Sequence, residues 1–280
     1  MKALVNPYRC MVSGHSLTYY REGKGETILF IHGITTYSFI WTELFNSLKS
    51  KYEVIAVDLL GCGASDKPID EDYSLKNQAI LLKEFLGVLS IARIHLVGHD
   101  VGGGVAQIFA VRYQESLISC TLINSVAYDF WPVQPIIALR TPIVRQLAMA
   151  TLDLGMFKLI VQRGVFYKER VTPELMNYFF EPMRNQAGRK AFLHFARCLN
   201  NQNLLEISDE LRQIKTPVLI IRGNADVYLS SVISEKLHAE ISDSELFVIP
   251  DAGHFIQLDV PEKLYELILK FIQNHEQRKA

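Results

Sequence analysis

The sequence lacks a surplus of either charge, paired cysteines and long uninterrupted apolar runs. Its 280 residues carry 29 basic and 30 acidic side chains, a formal charge of −1, without any block of like charge. This balance argues against nucleic acid or an anionic membrane as a partner and fits a small, largely neutral substrate. The four cysteines, Cys10, Cys62, Cys120 and Cys198, form no CxxC pair and no metal-like spacing. We therefore expect neither a disulfide framework nor a zinc site.

Targeting and membrane signals are also lacking. Asn6, Pro7 and Arg9 interrupt the apolar residues at the amino terminus, so we expect no secretory signal and a cytoplasmic location. Charged residues and prolines break the most apolar long region, residues 133–165, which argues against a continuous membrane-spanning helix.

What the sequence does have is an alternation of short β-branched runs with helical periodicity. Such alternation is typical of an α/β fold, a mainly parallel central sheet with flanking helices. A hairpin at the sheet edge is expected over 11–21, with Gly14 in its turn. The predicted strands are Thr27–His32, Glu53–Asp58, Ile94–Gly98, Cys120–Asn124, Pro217–Arg222 and Glu245–Pro250.

The alternation fails between residues 127 and 212, where aromatic and methionine-rich helical sequence with several prolines takes over. We predict that this stretch, called the helical insert below, is a cap on a core domain made of residues 1–126 and 213–280. The chain then ends in an amphipathic helix that Pro261 opens.

The most informative stretch is Gly98-His-Asp100-Val-Gly102, which joins a buried-type strand directly to a helix. This is the layout of a nucleophile elbow, with Asp100 as the exposed central residue. Gly98 and Gly102 are expected because side chains there would collide with neighbouring backbone. Upstream, another strand ends in His32-Gly33-Ile34, so the backbone N–H groups of Ile34 and Val101 are predicted to form an oxyanion hole.

Two more candidate catalytic residues follow later strands. Asp226 comes after the run ending at Arg222, and His254 comes after the run ending at Pro250. Because parallel strands open their carboxyl ends on one edge of the sheet, Asp100, Asp226 and His254 are expected to meet there as nucleophile, acid and base.

These motifs resemble the α/β-hydrolase superfamily over essentially the whole chain, and an aspartate at the elbow is similar to the branch of haloalkane dehalogenases, haloacetate dehalogenases and epoxide hydrolases. The resemblance implies that the loop over 58–68 is structural. The motifs that carry it are His32-Gly33, Asp58 to Ser65, Gly98 to Gly103, Gly223 to Asp226 and Gly253-His254.

An ionised carboxylate needs no base to attack, and at a saturated carbon it forms a stable alkyl ester. We therefore expect Asp100 to displace a leaving group, after which His254, oriented by Asp226, activates water against the ester. No cofactor and no metal are expected. The expected partners are a small apolar substrate and water, and a homodimer is left open.

The leaving group is the open question. Ile34 and Val101 stand where haloalkane dehalogenases usually carry side-chain donors for halide, and no basic residue stands beside the motifs to grip a haloacetate. An epoxide hydrolase is therefore favoured over a dehalogenase. An esterase or carbon–carbon bond hydrolase with Asp100 as base, and a ligand-binding protein without activity, remain alternatives. The pocket candidates are Tyr128, Tyr167 and Tyr178 as acids, Trp131 as a donor and Phe130 as apolar wall.

Overall fold

The computed structural model of the protein describes residues 4–131, 136–137, 141 and 154–276. Its centre is an eight-stranded sheet in the order β1-β2-β4-β3-β5-β6-β7-β8. Only the pairs β1–β2 and β2–β4 are antiparallel, so the predicted mainly parallel sheet is confirmed. The strands are β1 Tyr8–Val12, β2 His15–Glu22, β3 Thr27–Ile31, β4 Glu53–Val57, β5 Ile94–Asp100, β6 Leu117–Ser125, β7 Val218–Gly223 and β8 Ser244–Ile249.

The predicted edge hairpin consists of β1 and β2. Val12 pairs with His15, so the turn contains only Ser13 and Gly14, and both have positive φ, 46° and 82°. Two-residue turns of this kind match the twist of antiparallel strands. The remaining strands form the parallel part, and every residue of β3 and β5 is buried, as a sheet covered on both faces requires.

Helices cover both faces of the sheet. Buried residues of α1 (Thr42–Leu48) and α10 (Pro261–Glu276) pack on one face. Those of α2 (Leu75–Val88), α3 (Val101–Arg112) and α8 (Ser231–Glu240) pack on the other. Ser74 caps α2 by accepting the N–H of Asn77 at 3.3 Å, as a helix start favours. The core helices are α1 Thr42–Leu48, α2 Leu75–Val88, α3 Val101–Arg112, α8 Ser231–Glu240, α9 Ile256–Asp259 and α10 Pro261–Glu276.

The helical insert lies between β6 and β7. In its described parts, residues 127–131, 136–137, 141 and 154–212, helices and turns occur and strands do not. Its helices are α4 Leu154–Gly164, α5 Pro173–Phe180, α6 Gln186–Cys198 and α7 Gln202–Leu205. Short 3-10 helices also lie in the insert and at its end, at Lys168–Arg170, Glu181–Met183 and Ser208–Gln213. Others lie in the core, at Ser38–Trp41 and Gln114–Ser116. That the insert forms a domain separate from the core stays a prediction.

In the described part of the chain, no helix is both long and apolar enough to pass through a bilayer.

Candidate active site

Three polar side chains meet at the carboxyl edge of the parallel strands. Asp100 is the last residue of β5, Asp226 follows β7, and His254 follows β8. All three are buried, with 8%, 8% and 6% of their surface exposed. The predicted convergence rests on the sheet order, because β5, β6, β7 and β8 are parallel neighbours.

The turn between β5 and α3 holds Asp100 in a strained conformation. Its φ of 54° and ψ of −121° are unusual for a residue with a side chain. A methyl group on Gly98 would lie 2.4 Å from the carbonyl oxygen of Gly102, and one on Gly102 would lie 2.5 Å from that of His32. Both glycines are therefore required by close backbone approach, as expected for an elbow of this kind.

The predicted oxyanion hole faces the side chain of Asp100 itself. The N–H of Ile34 donates to Oδ2 of Asp100 at 3.1 Å. The N–H of Val101 stabilises the charged carboxylate and so acts to lower the pKa of Asp100. A methyl group on Gly33 would lie 2.6 Å from the same Oδ2. The glycine after His32 therefore makes room for the carboxylate.

His254 and Asp226 form a buried hydrogen-bonded pair. Nδ1 of His254 lies 3.0 Å from Oδ2 of Asp226, which leaves Nε2 as the nitrogen that can take up a proton. The other carboxylate oxygen of Asp226 accepts the N–H groups of Tyr228 at 2.8 Å and Leu229 at 3.2 Å. The acid is thus fixed by backbone donors while it orients the imidazole.

The three ionisable groups shift one another's pKa. Burial by itself would lower the pKa of His254, but Asp226 and Asp100 outweigh it and the pKa is raised. Burial would raise the pKa of Asp226, but His254, the Tyr228 N–H and Arg222 outweigh it and the pKa is lowered. For Asp100, burial outweighs His254 and the two N–H donors, and its pKa is raised.

His32 has a structural part in the loop that forms the hole. Its Nε2 accepts the N–H of Leu59 at 3.0 Å, and its Nδ1 lies 2.8 Å from the carbonyl oxygen of Gly33. Burial, its largest influence, lowers the pKa of His32. A neutral imidazole with one donor and one acceptor fits these two contacts.

Two residues that the sequence analysis did not single out hold the site together. Asn124, at the end of β6, donates to the carbonyl oxygens of Gly253 and His254, both at 2.9 Å, and accepts the N–H of Gly223 at 2.9 Å. His99 adds a contact of 2.9 Å from Nε2 to the carbonyl oxygen of His254. Burial lowers the pKa of His99 to about 3, so this ring stays neutral. The unusual local feature of Asn124 is its positive φ of 37°, and the amino-acid sequence gives no signal for it.

The three pocket candidates at the start of the helical insert have different surroundings. The hydroxyl of Tyr128 donates to Glu240 at 2.7 Å, so its proton is engaged by that carboxylate, and its expected role as an acid stays a prediction. Phe130 is 39% exposed and packs edge-on against Tyr128. Trp131 is 3% exposed, and its indole N–H has no hydrogen-bond partner among the described residues.

The other two candidate tyrosines lie further along the insert. Tyr178 on α5 stacks on Phe39 with ring centroids 5.8 Å apart, and Phe39 contacts Phe179, which contacts Phe255 beside His254. Tyr167 lies under the guanidinium of Arg170, at 5.7 Å. Tyr178 is therefore connected to the base by continuous aromatic packing.

The described residues contain no group of three or more His, Cys, Asp or Glu side chains placed to hold a metal ion. The four cysteines are all free thiols. The site offers a buried carboxylate, which can act as a nucleophile or as a base, and an imidazole that can accept and return a proton.

Comparison with known proteins assigns the family. Residues 26–261 match the family model described as the alpha/beta hydrolase fold, so the chain belongs to this family, and the predicted fold class is confirmed. The cis-3-alkyl-4-alkyloxetan-2-one decarboxylase of Shewanella oneidensis is 27% identical, over 94% of this chain and 87% of that protein. Haloalkane dehalogenase 2 of Mycobacterium bovis is 28% identical over 90% of each chain. An epoxide hydrolase solved without ligand superposes with a TM-score of 0.85 at 17% identity, covering 96% of this chain and 99% of that one.

Proposed function

We propose that the protein is a cofactor-independent hydrolase that opens an epoxide through a covalent alkyl ester on Asp100. The observation that carries this proposal is the 3.1 Å hydrogen bond from the Ile34 N–H to Oδ2 of Asp100, beside the His254–Asp226 pair. One carboxylate oxygen is held in the hole while the other is left to attack carbon. A small apolar substrate and water are then the only partners that the reaction needs.

In the first step, the free oxygen of Asp100 forms a bond to a ring carbon, the carbon–oxygen bond of the ring breaks, and the alkoxide takes a proton from a donor in the pocket. In the second step, Nε2 of His254 removes a proton from water, and the hydroxide attacks Cγ of Asp100. The tetrahedral oxyanion forms on the oxygen that the Ile34 N–H already contacts, with the Val101 N–H as the proposed second donor. Its collapse expels the second alkoxide, which takes the proton held by His254. The proton left on the Asp100 carboxyl returns to the donor in the pocket, and a diol leaves.

The position of Asp100 favours this role over that of a general base. In an esterase, the hole must receive the carbonyl oxygen of the substrate. Here the N–H of Ile34 already has the carboxylate of Asp100 as its acceptor. The hole therefore serves a carbonyl that belongs to the nucleophile, as hydrolysis of an alkyl-enzyme requires.

The coupling of charges gives the two steps their order. Asp100 is one of the groups that raise the pKa of His254. Alkylation of Asp100 removes its negative charge, so the pKa of His254 must then fall. Formation of the ester thus favours the neutral imidazole, which is the form that has to activate water in the second step.

The donors around Asp100 favour a strained oxygen ring over a halide. Ile34 and Val101 offer backbone N–H groups but no side-chain donor. A departing halide is not protonated, so it depends on side-chain donors to stabilise its charge. Ring strain assists the opening of an epoxide, and a single phenol is enough to protonate the alkoxide that forms. Tyr178 is the candidate for that proton, because its ring stacks on Phe39 and so joins the aromatic packing that leads to His254.

A second candidate reaction is the opening of an oxetan-2-one. The relative from Shewanella oneidensis, with 27% identity, is named for decarboxylation of such a four-membered lactone. This ring also carries an oxygen leaving group on a saturated carbon, so the same attack by Asp100 applies to it. The ring oxygen leaves as a carboxylate; when this group is lost as carbon dioxide, the electron pair of the broken carbon–carbon bond forms a double bond and the bond to Asp100 breaks. Carbon dioxide and an alkene, rather than a diol, would distinguish this reaction.

The test is to trap the covalent intermediate. His254→Gln is incubated with 1,2-epoxyhexane, a 3,4-dialkyl oxetan-2-one, 1-chlorohexane or a p-nitrophenyl ester and analysed by intact-protein mass spectrometry, with Asp100→Asn as the matched control. We expect a mass increase equal to the epoxide in His254→Gln and none in the control. Turnover of esters by the wild type with no adduct from any probe would overturn the nucleophile assignment and favour Asp100 as a base.

A further inference from the structure

A fully buried carboxylate lies five residues after His254, outside the catalytic constellation. Asp259, the last residue of α9, has no exposed surface. Its Oδ2 accepts the N–H of Gly253 at 2.8 Å, directly before the candidate base. The same carboxylate accepts the N–H of Phe166 at 2.9 Å from both oxygens and the N–H of Tyr167 at 3.0 Å. One side chain thus joins the loop that carries His254 to the helical insert.

Other contacts surround this junction. The N–H of Phe255 donates to the carbonyl oxygen of Gly164 at 3.1 Å, and Arg170 donates to that of Leu258 at 3.1 Å. A methyl group on Gly253 would lie 2.5 Å from the carbonyl oxygen of Gly164, so the two backbones are in close contact. The carboxyl end of α4 is therefore seated directly on the loop of the base.

The acid loop is tied to the same helix. The hydroxyl of Tyr228 donates to the carbonyl oxygen of Ile160 on α4 at 2.6 Å, while its ring packs edge-on against His254 with centroids 5.3 Å apart. Both loops that build the acid–base pair therefore contact one end of the insert. Of these side chains, Asp259 is the one that hydrogen bonds both to the insert and to the loop of the base.

We propose that Asp259 is a positioning residue for the second catalytic step, which holds the peptide before His254 at a fixed distance from the helical insert. The inference rests on the proposed two-step reaction. The attack by Asp100 does not use His254, so it should be insensitive to this link. Hydrolysis of the ester requires Nε2 of His254 to reach a water above Cγ of Asp100, so it should be sensitive.

The isosteric variant Asp259→Asn separates the two sides of the junction. Its amide oxygen can remain with the N–H groups of Phe166 and Tyr167, whereas its NH₂ group then faces the N–H of Gly253, and two donors cannot bond. The variant should keep the insert in place and release the loop of the base. Leu82→Ala, in the distant core of α2, serves as a control for loss of stability without loss of this link.

The test follows each step separately with 1,2-epoxyhexane. We expect Asp259→Asn to alkylate within about twofold of the wild-type rate but to hydrolyse the ester about 10- to 100-fold more slowly, so the alkyl-enzyme accumulates in the mass spectrum. Leu82→Ala should lower the melting temperature without accumulating ester. Equal slowing of both steps, or no accumulation in Asp259→Asn, would overturn the proposal.

A second measurement does not depend on the reaction. The proton between Nδ1 of His254 and Asp226 is observed by NMR at low field and identified by its absence in His254→Gln. We expect this resonance to shift or broaden in Asp259→Asn and to persist in Leu82→Ala; an unchanged resonance in Asp259→Asn contradicts the positioning role. If His254→Gln forms no adduct with any probe, the proposed function fails, and the resonance still decides whether Asp259 positions the base.

Discussion

Replacement of Asn124 by Ala should destabilise the protein strongly, because one small side chain connects the acid loop to the base loop. The change removes the acceptor of the Gly223 N–H and the donor to the Gly253 carbonyl, and neither group has another hydrogen-bond partner among the described residues. The carbonyl of His254 keeps its contact with His99. Two buried groups are thus left unsatisfied, at about 1–3 kcal/mol each.

The backbone adds to this cost. Asn124 has a φ of 37°, a region in which asparagine is tolerated and alanine is disfavoured by about 1–2 kcal/mol. Together the two effects amount to a loss on the order of 4 kcal/mol in the free energy of unfolding. Asn124→Gly loses the same hydrogen bonds but not the backbone term, so it should be more stable than Asn124→Ala by about 1 kcal/mol.

Urea unfolding followed by tryptophan fluorescence measures the stability of both variants. Steady-state kinetics with the probe that forms an adduct in His254→Gln measures their activity. We expect the turnover number of Asn124→Ala to fall about 100-fold, because displacement of the loops moves His254 relative to Asp226. A loss of stability below about 1 kcal/mol together with unchanged turnover would show that Asn124 does not hold the two loops.

Three further predictions test the elbow, the charge coupling and the pocket. Gly98→Ala should lower the free energy of unfolding in urea by about 3 kcal/mol or more, because its methyl group would lie 2.4 Å from backbone. The control Gly87→Ala has open space around it, so it should be neutral or stabilising by up to about 1 kcal/mol. Because Asp100 raises the pKa of His254, the pH midpoint for hydrolysis of the isolated alkyl-enzyme should lie below the pKa of His254 measured by NMR in the free protein; a midpoint at or above that pKa would contradict the charge coupling. Tyr178→Phe should slow alkylation by an epoxide about 100-fold and leave ester hydrolysis unchanged. The control Tyr128→Phe should not slow alkylation, because the hydroxyl that it removes is bound to Glu240. Equal alkylation rates in Tyr178→Phe and the wild type would show that Tyr178 is not the acid.

The strands could be predicted because buried parallel strands carry a local signal. β3 is a continuous apolar run, and β7 is another, each bounded by turn residues. The predicted ends differ from the observed ones by one residue in β3 and by three at the start of β6, since strand ends depend on pairing across the sheet. The start of α10 at Pro261 was likewise fixed by a local rule.

The α/β fold, the elbow at Asp100 and the convergence of Asp226 and His254 could all be predicted, because each follows from residue types within a few positions of a strand end. The side chains that hold these residues in place could not be predicted in this way. Asn124 binds a loop 129 residues away, Asp259 binds the helical insert, and Tyr128 donates a hydrogen bond from its hydroxyl to Glu240. Hydrogen bonds between such distant segments exist only after the sheet and the insert have packed. No periodicity or spacing encodes them, so they could not be predicted from local pattern.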